Sequence, residues 1–204
     1  METIQAQEEL AFIRKVMEDS RTSLADNGKP KLVWGAIVAL GMLYTYLQAL
    51  ADSDLYVGWV WLAISAVGWG YIFWEDKQRD KTYRVRTLTG KIIGAIWGAC
   101  GFSIALVIII TFGTRYFNID MVMHPIALCP ITAIIVGIAY FLDGTLRSVS
   151  WVRNLSYVWW ASAVLMFFWP TVHVLLIYAI MIIAFQFIPG IVLYRRSKNP
   201  IIAA

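Results

Sequence analysis

Two histidines are the residues of this chain with the most distinctive chemistry. His124 stands directly before Pro125, and His173 follows Pro170 by three residues, so each lies at the start of an apolar stretch. Two imidazole rings can together ligate a transition metal or a haem iron. Without a further carboxylate or thiolate ligand they make a sparse site. The alternative is a pair of ordinary histidines at the membrane interface, in which case no cofactor is expected.

The composition indicates which elements must position these residues. Of the 204 residues, 60% are hydrophobic and only 15% are charged. A soluble domain carries about 25% charged residues, and a chain of this length cannot bury so much apolar surface in a core of its own. A helix of roughly 20 apolar residues, by contrast, crosses the hydrocarbon layer of a membrane. The composition therefore predicts an integral membrane protein.

Windows without charged residues predict six transmembrane helices. The 41 residues of 154–194 contain no charge, which is too long for one span, and Pro170 divides them because proline stops a preceding helix. Apolar runs in this chain do not alternate with the period of barrel strands. The expected fold is all-α and polytopic, with a transmembrane domain at 31–196. Its spans are expected at about 32–51, 55–74, 92–114, 121–142, 150–169 and 171–194.

The segments between the spans differ in charge. The stretch "EDKQRDKTYRVRTLTGK", residues 75–91, holds nine charged residues in seventeen. With the N-terminus in the cytoplasm, 16 of the 17 basic residues face the cytoplasm, as the positive-inside rule requires. Both termini, including the tail 197–204, are thus expected on the cytoplasmic side of a bacterial-type inner membrane. The basic loop is expected to set orientation and to attract anionic lipids rather than nucleic acid; its residues are Lys77, Arg79, Lys81, Arg84, Arg86 and Lys91.

Residues 1–30 are predicted to form an amphipathic helix in the cytoplasm. Residues 2–26 contain six acidic and three basic residues, whereas helices that lie on membranes are usually basic on their polar face. The apolar stripe is therefore expected to pack against the cytoplasmic side of its own bundle or to dock a separate cytoplasmic protein. This stripe has helical spacing and consists of Leu10, Ile13, Met17 and Leu24.

No carboxylate falls inside the six predicted spans, which argues against coupling to protons or sodium through carboxylates. Asp143 ends the fourth span in the sequence YFLDG. Because the C-terminus of a helix disfavours negative charge, Asp143 is expected to pair with Arg147 or to cap the residues that follow.

Three predicted spans carry stripes of small residues. Small residues let helices approach closely in lipid, either within one bundle or between subunits. The stripes are Ala66 and Gly70 in span two, Gly94, Gly98, Gly101 and Ala105 in span three, and Ala133 and Gly137 in span four.

Several short motifs lie along the whole chain: FIRKVMEDS near the N-terminus, a Gly-rich first span, the basic second cytoplasmic loop, GIAYFLDG at the end of a Pro-led fourth span, and IPGIVLYRR at the end of the last. In these motifs the chain resembles a group of uncharacterised bacterial six-span membrane proteins. It departs from that group in lacking a Ser- and Gly-rich start to the first span. The resemblance implies a six-span fold and no activity.

Two classes of function remain open at this point. The first is a non-enzymatic membrane component that senses, regulates or scaffolds, with membrane lipids, a second copy or a cytoplasmic protein as partners. The second is a small transporter or channel for a neutral or hydrophobic solute. A third, metal or haem binding, depends on His124 and His173. An enzyme is not expected, because no nucleophile–base pair or carboxylate cluster occurs in a span.

Overall fold

The computed structural model describes residues 28–53, 56–82, 88–117 and 124–198, and within these ranges it contains helices and no strand. The predicted all-α class is confirmed. A single 3-10 turn, Pro125–Ala127, leads into the fourth helix, and a π-helical turn, Ile183–Phe187, joins the last two into one continuous rod. In chain order the helices are α1 (Lys29–Leu50), α2 (Val57–Thr82), α3 (Leu88–Tyr116), α4 (Leu128–Leu146), α5 (Ser150–Phe168), α6 (His173–Ile182) and α7 (Ile188–Lys198).

Five of the described helical segments are long and apolar enough to cross a membrane. Helix α5 is the exception, since Arg153 and Asn154 lie in its first turns and three tryptophans replace more apolar residues. The five segments are Lys29–Leu50, Val57–Glu75, Thr89–Gly113, Pro125–Leu146 and His173–Arg195. The helices are thus longer than the predicted spans at several ends and include charged residues there.

The core of the bundle lies among α1, α4, α5 and the α6–α7 rod. Helices α4 and α5 pack against each other along their length, and the α5 ring of Trp160 lies over Gly137 of α4. The Trp160 ring nitrogen donates to the backbone carbonyl of Ile134, at 3.2 Å. The largest side chains with no exposed surface, or almost none, are Trp159, Tyr140 and Met166. The middle of this four-part core is therefore filled by large side chains.

Helix α1 approaches the α6–α7 rod closely enough to require glycine. A Cβ atom on Gly35 would lie 3.0 Å from the Cα atom of Phe187, inside the normal contact distance. Phe187 ends the π-helical turn, and Pro189 follows two residues later. Because proline lacks an N–H and its ring clashes with the preceding turn, the wider π-helical turn gives the chain a way to continue as a helix through Pro189.

Helices α2 and α3 lie at the periphery. Helix α2 packs mainly on α1, and α3 packs mainly on α4. In the apolar windows of α2 and α3 only 6% of the residues are buried, against 44% in the window that contains α4. The remaining faces of α2 and α3 are apolar and exposed, as lipid-facing helices are.

The stripes of small residues have different surroundings in the three helices. In α2, Ala66 is exposed, and a Cβ on Gly70 would meet no atom within 4 Å. In α4, Ala133 is fully buried, and Gly137 contacts Trp160. In α3, Gly101 faces Trp69, whereas a Cβ on Gly94 or Gly98 would meet no atom within 4 Å. The small residues of α4 therefore pack within the bundle, as predicted, whereas Gly94 and Gly98 of α3 make no close contact with another helix.

The stretch 75–91 is largely helical rather than a loop, which corrects the sequence prediction. Helix α2 continues to Thr82, and α3 begins at Leu88. Glutamate, lysine, arginine and glutamine are good helix formers, so α2 extends beyond its apolar span. Of the predicted basic residues, Lys77 and Lys91 are exposed, and Arg79 and Lys81 belong to α2. The others fall outside the described residues, as does the apolar stripe of the N-terminal segment: Arg84 and Arg86, and Leu10, Ile13, Met17 and Leu24.

Candidate functional site

A buried charged cluster lies where α4 ends and α1 begins. Asp143, on the last turns of α4, has no exposed surface and forms ion pairs with Lys31 of α1 and Arg147. The side chains of Lys31 and Arg147 are only 11% and 6% exposed. Moving a carboxylate out of water costs several kcal/mol unless close charges and hydrogen bonds offset the loss. Both cations are therefore needed to hold Asp143 in place.

The predicted pairing of Asp143 with Arg147 is confirmed, and the pairing with Lys31 is an addition. Arg147 follows Asp143 by four residues, the spacing that places two side chains on one face of a helix. Lys31 lies 112 residues away in sequence and reaches Asp143 because α1 starts at the end of the bundle where α4 stops. Lys31 and Asp143 stand just beyond the predicted spans 32–51 and 121–142, and the helices continue past these uncharged windows to include both residues.

Aromatic side chains surround the cluster. The ring nitrogen of Trp97, on α3, donates to Asp143 Oδ2 at 3.3 Å. The Lys31 ammonium lies 5.3 Å from the ring centroids of both Trp97 and Tyr140, within the range of cation–π attraction. The two rings meet edge to face with centroids 5.3 Å apart. Asp143 and its surroundings therefore join α1, α3 and α4 at one point.

Further polar groups near this end are buried without partners. In the part of the chain that the structure describes, no hydrogen bond is made by the Tyr140 hydroxyl, the Trp159 ring nitrogen or Arg153 Nε, although all three atoms are buried. The Tyr140 and Trp159 rings are stacked with centroids 6.4 Å apart, and the Trp159 and Tyr178 rings lie 5.9 Å apart. Each of the three unpartnered groups can donate a hydrogen bond. Among the described residues, Arg153 Nε and the Trp159 ring nitrogen are thus buried donors without an acceptor, and Glu75 Oε2 on α2 is a buried acceptor without a donor.

The two histidines have separate partners. His173 Nδ1 lies 3.0 Å from the Tyr46 hydroxyl of α1. His124 Nδ1 accepts a hydrogen bond from the backbone of Ile126, at 3.2 Å, and so caps the 3-10 turn before α4. Among residues 28–53, 56–82, 88–117 and 124–198, no group of three or more His, Cys, Asp or Glu side chains could hold a metal ion. Each histidine thus contacts a different part of the chain, and a metal or haem site at this pair stays a prediction.

Comparisons with protein-family models, with curated proteins and with solved structures find no match to this chain. The chemistry open to the charged cluster follows from its groups. Two cations, Lys31 and Arg147, pair with a single carboxylate, Asp143. On the turn of α5 that packs against Gly144, Arg153 Nε is a buried donor without a hydrogen bond in the described part of the chain. Such a group can hold helices together and can bind an anion.

The sequence contains a signal that would have found most of this cluster. An aspartate at the end of an apolar span, as in YFLDG, needs a cation at the same depth. Lys31 stands immediately before the uncharged window of the first span, and the predicted topology places both residues on one side. Trp97 gives no comparable signal, because a tryptophan in an apolar window is equally common facing lipid.

Proposed function

We propose that this protein is a six-span, non-enzymatic component of a bacterial-type inner membrane that regulates, senses or scaffolds. The supporting observation is the filled core: Trp159 and Tyr140 have no exposed surface, Met166 is 1% exposed, and the aromatic rings contact one another. A solute that crossed among α1, α4, α5 and α6 would have to displace these side chains. A filled core favours this class over the transporter or channel.

Helix α5 supplies the sixth span in this proposal. Helices α4 and α5 each contain 19 residues, are joined by only three residues, 147–149, and pack along their length. At a rise of 1.5 Å per residue, each is roughly 28 Å long, which matches the hydrocarbon layer. A helix paired in this way with a membrane-spanning α4 has to cross as well. Arg153 then lies near the interface, where long basic side chains reach the headgroups.

The scaffolding role is assigned to the helices outside the core. Helices α2 and α3 turn apolar faces outward, and exposed residues on them include Trp59, Phe73, Phe102 and Ile109. Lipid, a second copy or another membrane protein can cover such faces. The acidic N-terminal segment provides a second surface, for a cytoplasmic protein, and both termini face the cytoplasm because of the distribution of basic residues.

A flux measurement separates this proposal from the transporter alternative. The purified protein is reconstituted into liposomes, and shrinkage and recovery after an osmotic step with glycerol or urea are followed by light scattering. We expect rates equal to those of protein-free liposomes, because the core is filled. A protein-dependent flux that saturates with solute concentration would favour the transporter.

The topology is tested by single cysteines in a background that lacks Cys100 and Cys129. Cysteines at Ser53, Asn118 and Trp169 are expected to react with an impermeant thiol reagent added outside. Cysteines at Gln78, Ser148 and Ser197 are expected to react only after the membrane is opened. Outside labelling at Ser148 would contradict the crossing of α4, and protection at Trp169 would contradict that of α5.

A further inference from the structure

We propose that the charged end of α4 and α5 binds a phosphate group through Arg153. Arg153 lies on the first turn of α5, which packs against the end of α4 that carries Asp143. The inference requires α4 to cross the membrane, and it depends neither on the direction of crossing nor on the scaffolding role.

The first observation is the imbalance of charge. Lys31 and Arg147 both pair with Asp143, whose single carboxylate is already shared between two cations. Arg153, on the turn of α5 that packs against this end of α4, is a third cation, and it makes no ion pair with the described residues. A partly buried positive charge without a counter-ion is unfavourable. A bound anion would remove the excess.

The second observation is the position of Arg153. A Cβ atom on Gly144 would lie 2.6 Å from the Arg153 Cα atom, so the first turn of α5 is pressed against α4 at the residue that follows Asp143 in sequence. Two hydrogen bonds fix this turn: Val149 N to Gly144 O at 2.9 Å, and Arg153 N to Val149 O at 3.2 Å. The guanidinium group is therefore carried on a rigid backbone.

The third observation is the unpartnered donor. Arg153 Nε is buried and makes no hydrogen bond within the described residues. Leaving a buried charged donor without a hydrogen bond is more unfavourable than leaving a neutral one without a hydrogen bond. A guanidinium group presents its donors in a planar fork that fits phosphate oxygens. A phosphate group supplies both the acceptors and the negative charge that Arg153 lacks among the described residues.

Such a phosphate has two possible sources. The end of a membrane-spanning helix lies at the level of lipid headgroups, so an anionic phospholipid can place its phosphate there. A soluble phosphate compound can reach the same donors from water. The chemistry of recognition is identical, and the measurement separates the two sources.

The test uses the purified full-length protein in detergent. Binding of phosphatidylglycerol is measured by native mass spectrometry and by the shift in Tm. It is compared with binding of the diacylglycerol that has the same acyl chains but no phosphate, and with the effect of inorganic phosphate. We expect the wild type to retain phosphatidylglycerol in preference to diacylglycerol. If inorganic phosphate also raises Tm, the site accepts a soluble ligand.

The variant Arg153→Gln is expected to bind phosphatidylglycerol about tenfold more weakly, because it loses one charge-assisted hydrogen bond to the phosphate group. Arg195→Gln is the matched control, because Arg195 is exposed on α7, and its binding should not change. Arg153→Lys keeps the charge without the Nε donor, and it should lie between the two if Arg153→Gln proves unstable. The proposal would be overturned by equal binding of phosphatidylglycerol and diacylglycerol by the wild type together with no effect of inorganic phosphate on Tm. Unchanged binding by a folded Arg153→Gln protein would also overturn it.

Discussion

Helices α3 and α4 are alike in sequence and different in environment. Both are apolar enough to cross a membrane, and both carry small residues at helical spacing. Yet 44% of the apolar window that contains α4 is buried, against 6% of the α3 window. This difference in burial arises from the side chains that the small residues face on neighbouring helices. Gly137 of α4 receives the Trp160 ring, whereas Gly94 and Gly98 of α3 receive nothing from the rest of the bundle.

This comparison teaches that small residues need a large partner before they define a core. In lipid no hydrophobic force drives helices together, so contact between complementary surfaces decides which helices associate. Helices α4 and α5 have complementary surfaces, and α4 also holds the buried carboxylate that joins it to α1. The core is therefore held both by packing along its length and by charge at one end.

The largest expected effect is at that charged end. Asp143→Asn leaves Lys31 and Arg147 buried without a counter-ion, and loss of one partner in a buried pair costs about 3–5 kcal/mol. The free energy of unfolding in detergent, measured by reversible denaturation, should fall by that amount. Asp52→Asn is the control, because Asp52 is exposed and has a positive φ that asparagine adopts readily. A loss under about 0.5 kcal/mol for Asp143→Asn, the range of surface substitutions, would contradict the role of Asp143.

The next effect compares a tryptophan of the core with one at the periphery. Trp159 has no exposed surface, and Trp59 of α2 is 71% exposed. Trp159→Ala should cost about 3 kcal/mol, the low end for such a change, since in lipid only the cavity and lost contacts contribute. Trp59→Ala should cost under about 1 kcal/mol because it opens no cavity. Equal losses in the same unfolding experiment would mean that α2 belongs to the core as much as α5 does.

The smallest effect concerns the two stripes of glycine. Gly137→Ala places a methyl group against the Trp160 ring and should destabilise the protein by about 1–3 kcal/mol. Gly98→Ala meets no atom within 4 Å and should be neutral or stabilising by up to about 1 kcal/mol, from the better helix propensity of alanine. If Gly98→Ala is destabilising only at protein concentrations where the chain self-associates, the α3 stripe is a subunit interface.

The fold could be predicted from sequence further than the site could. Hydropathy and the helix-stopping effect of Pro170 are local properties, and they predict the all-α class and the division between α5 and α6. The choice of α4 over α3 for the core depends on side chains such as Trp160 that come from another helix. The pairing of Lys31 with Asp143 is likewise not local. A search for uncharged windows does not detect it, because both residues stand just beyond the ends of those windows.

The most direct test of the central claim, that the Lys31–Asp143 pair joins α1 to α4 in the core, is a double-mutant cycle. The free energies of unfolding of the wild type, Lys31→Met, Asp143→Asn and the double variant are compared in one detergent. We predict a coupling energy of about 2 kcal/mol, because removing the second partner does little further harm once the first is lost. Additivity within about 0.5 kcal/mol, as found for distant residues, would contradict the claim.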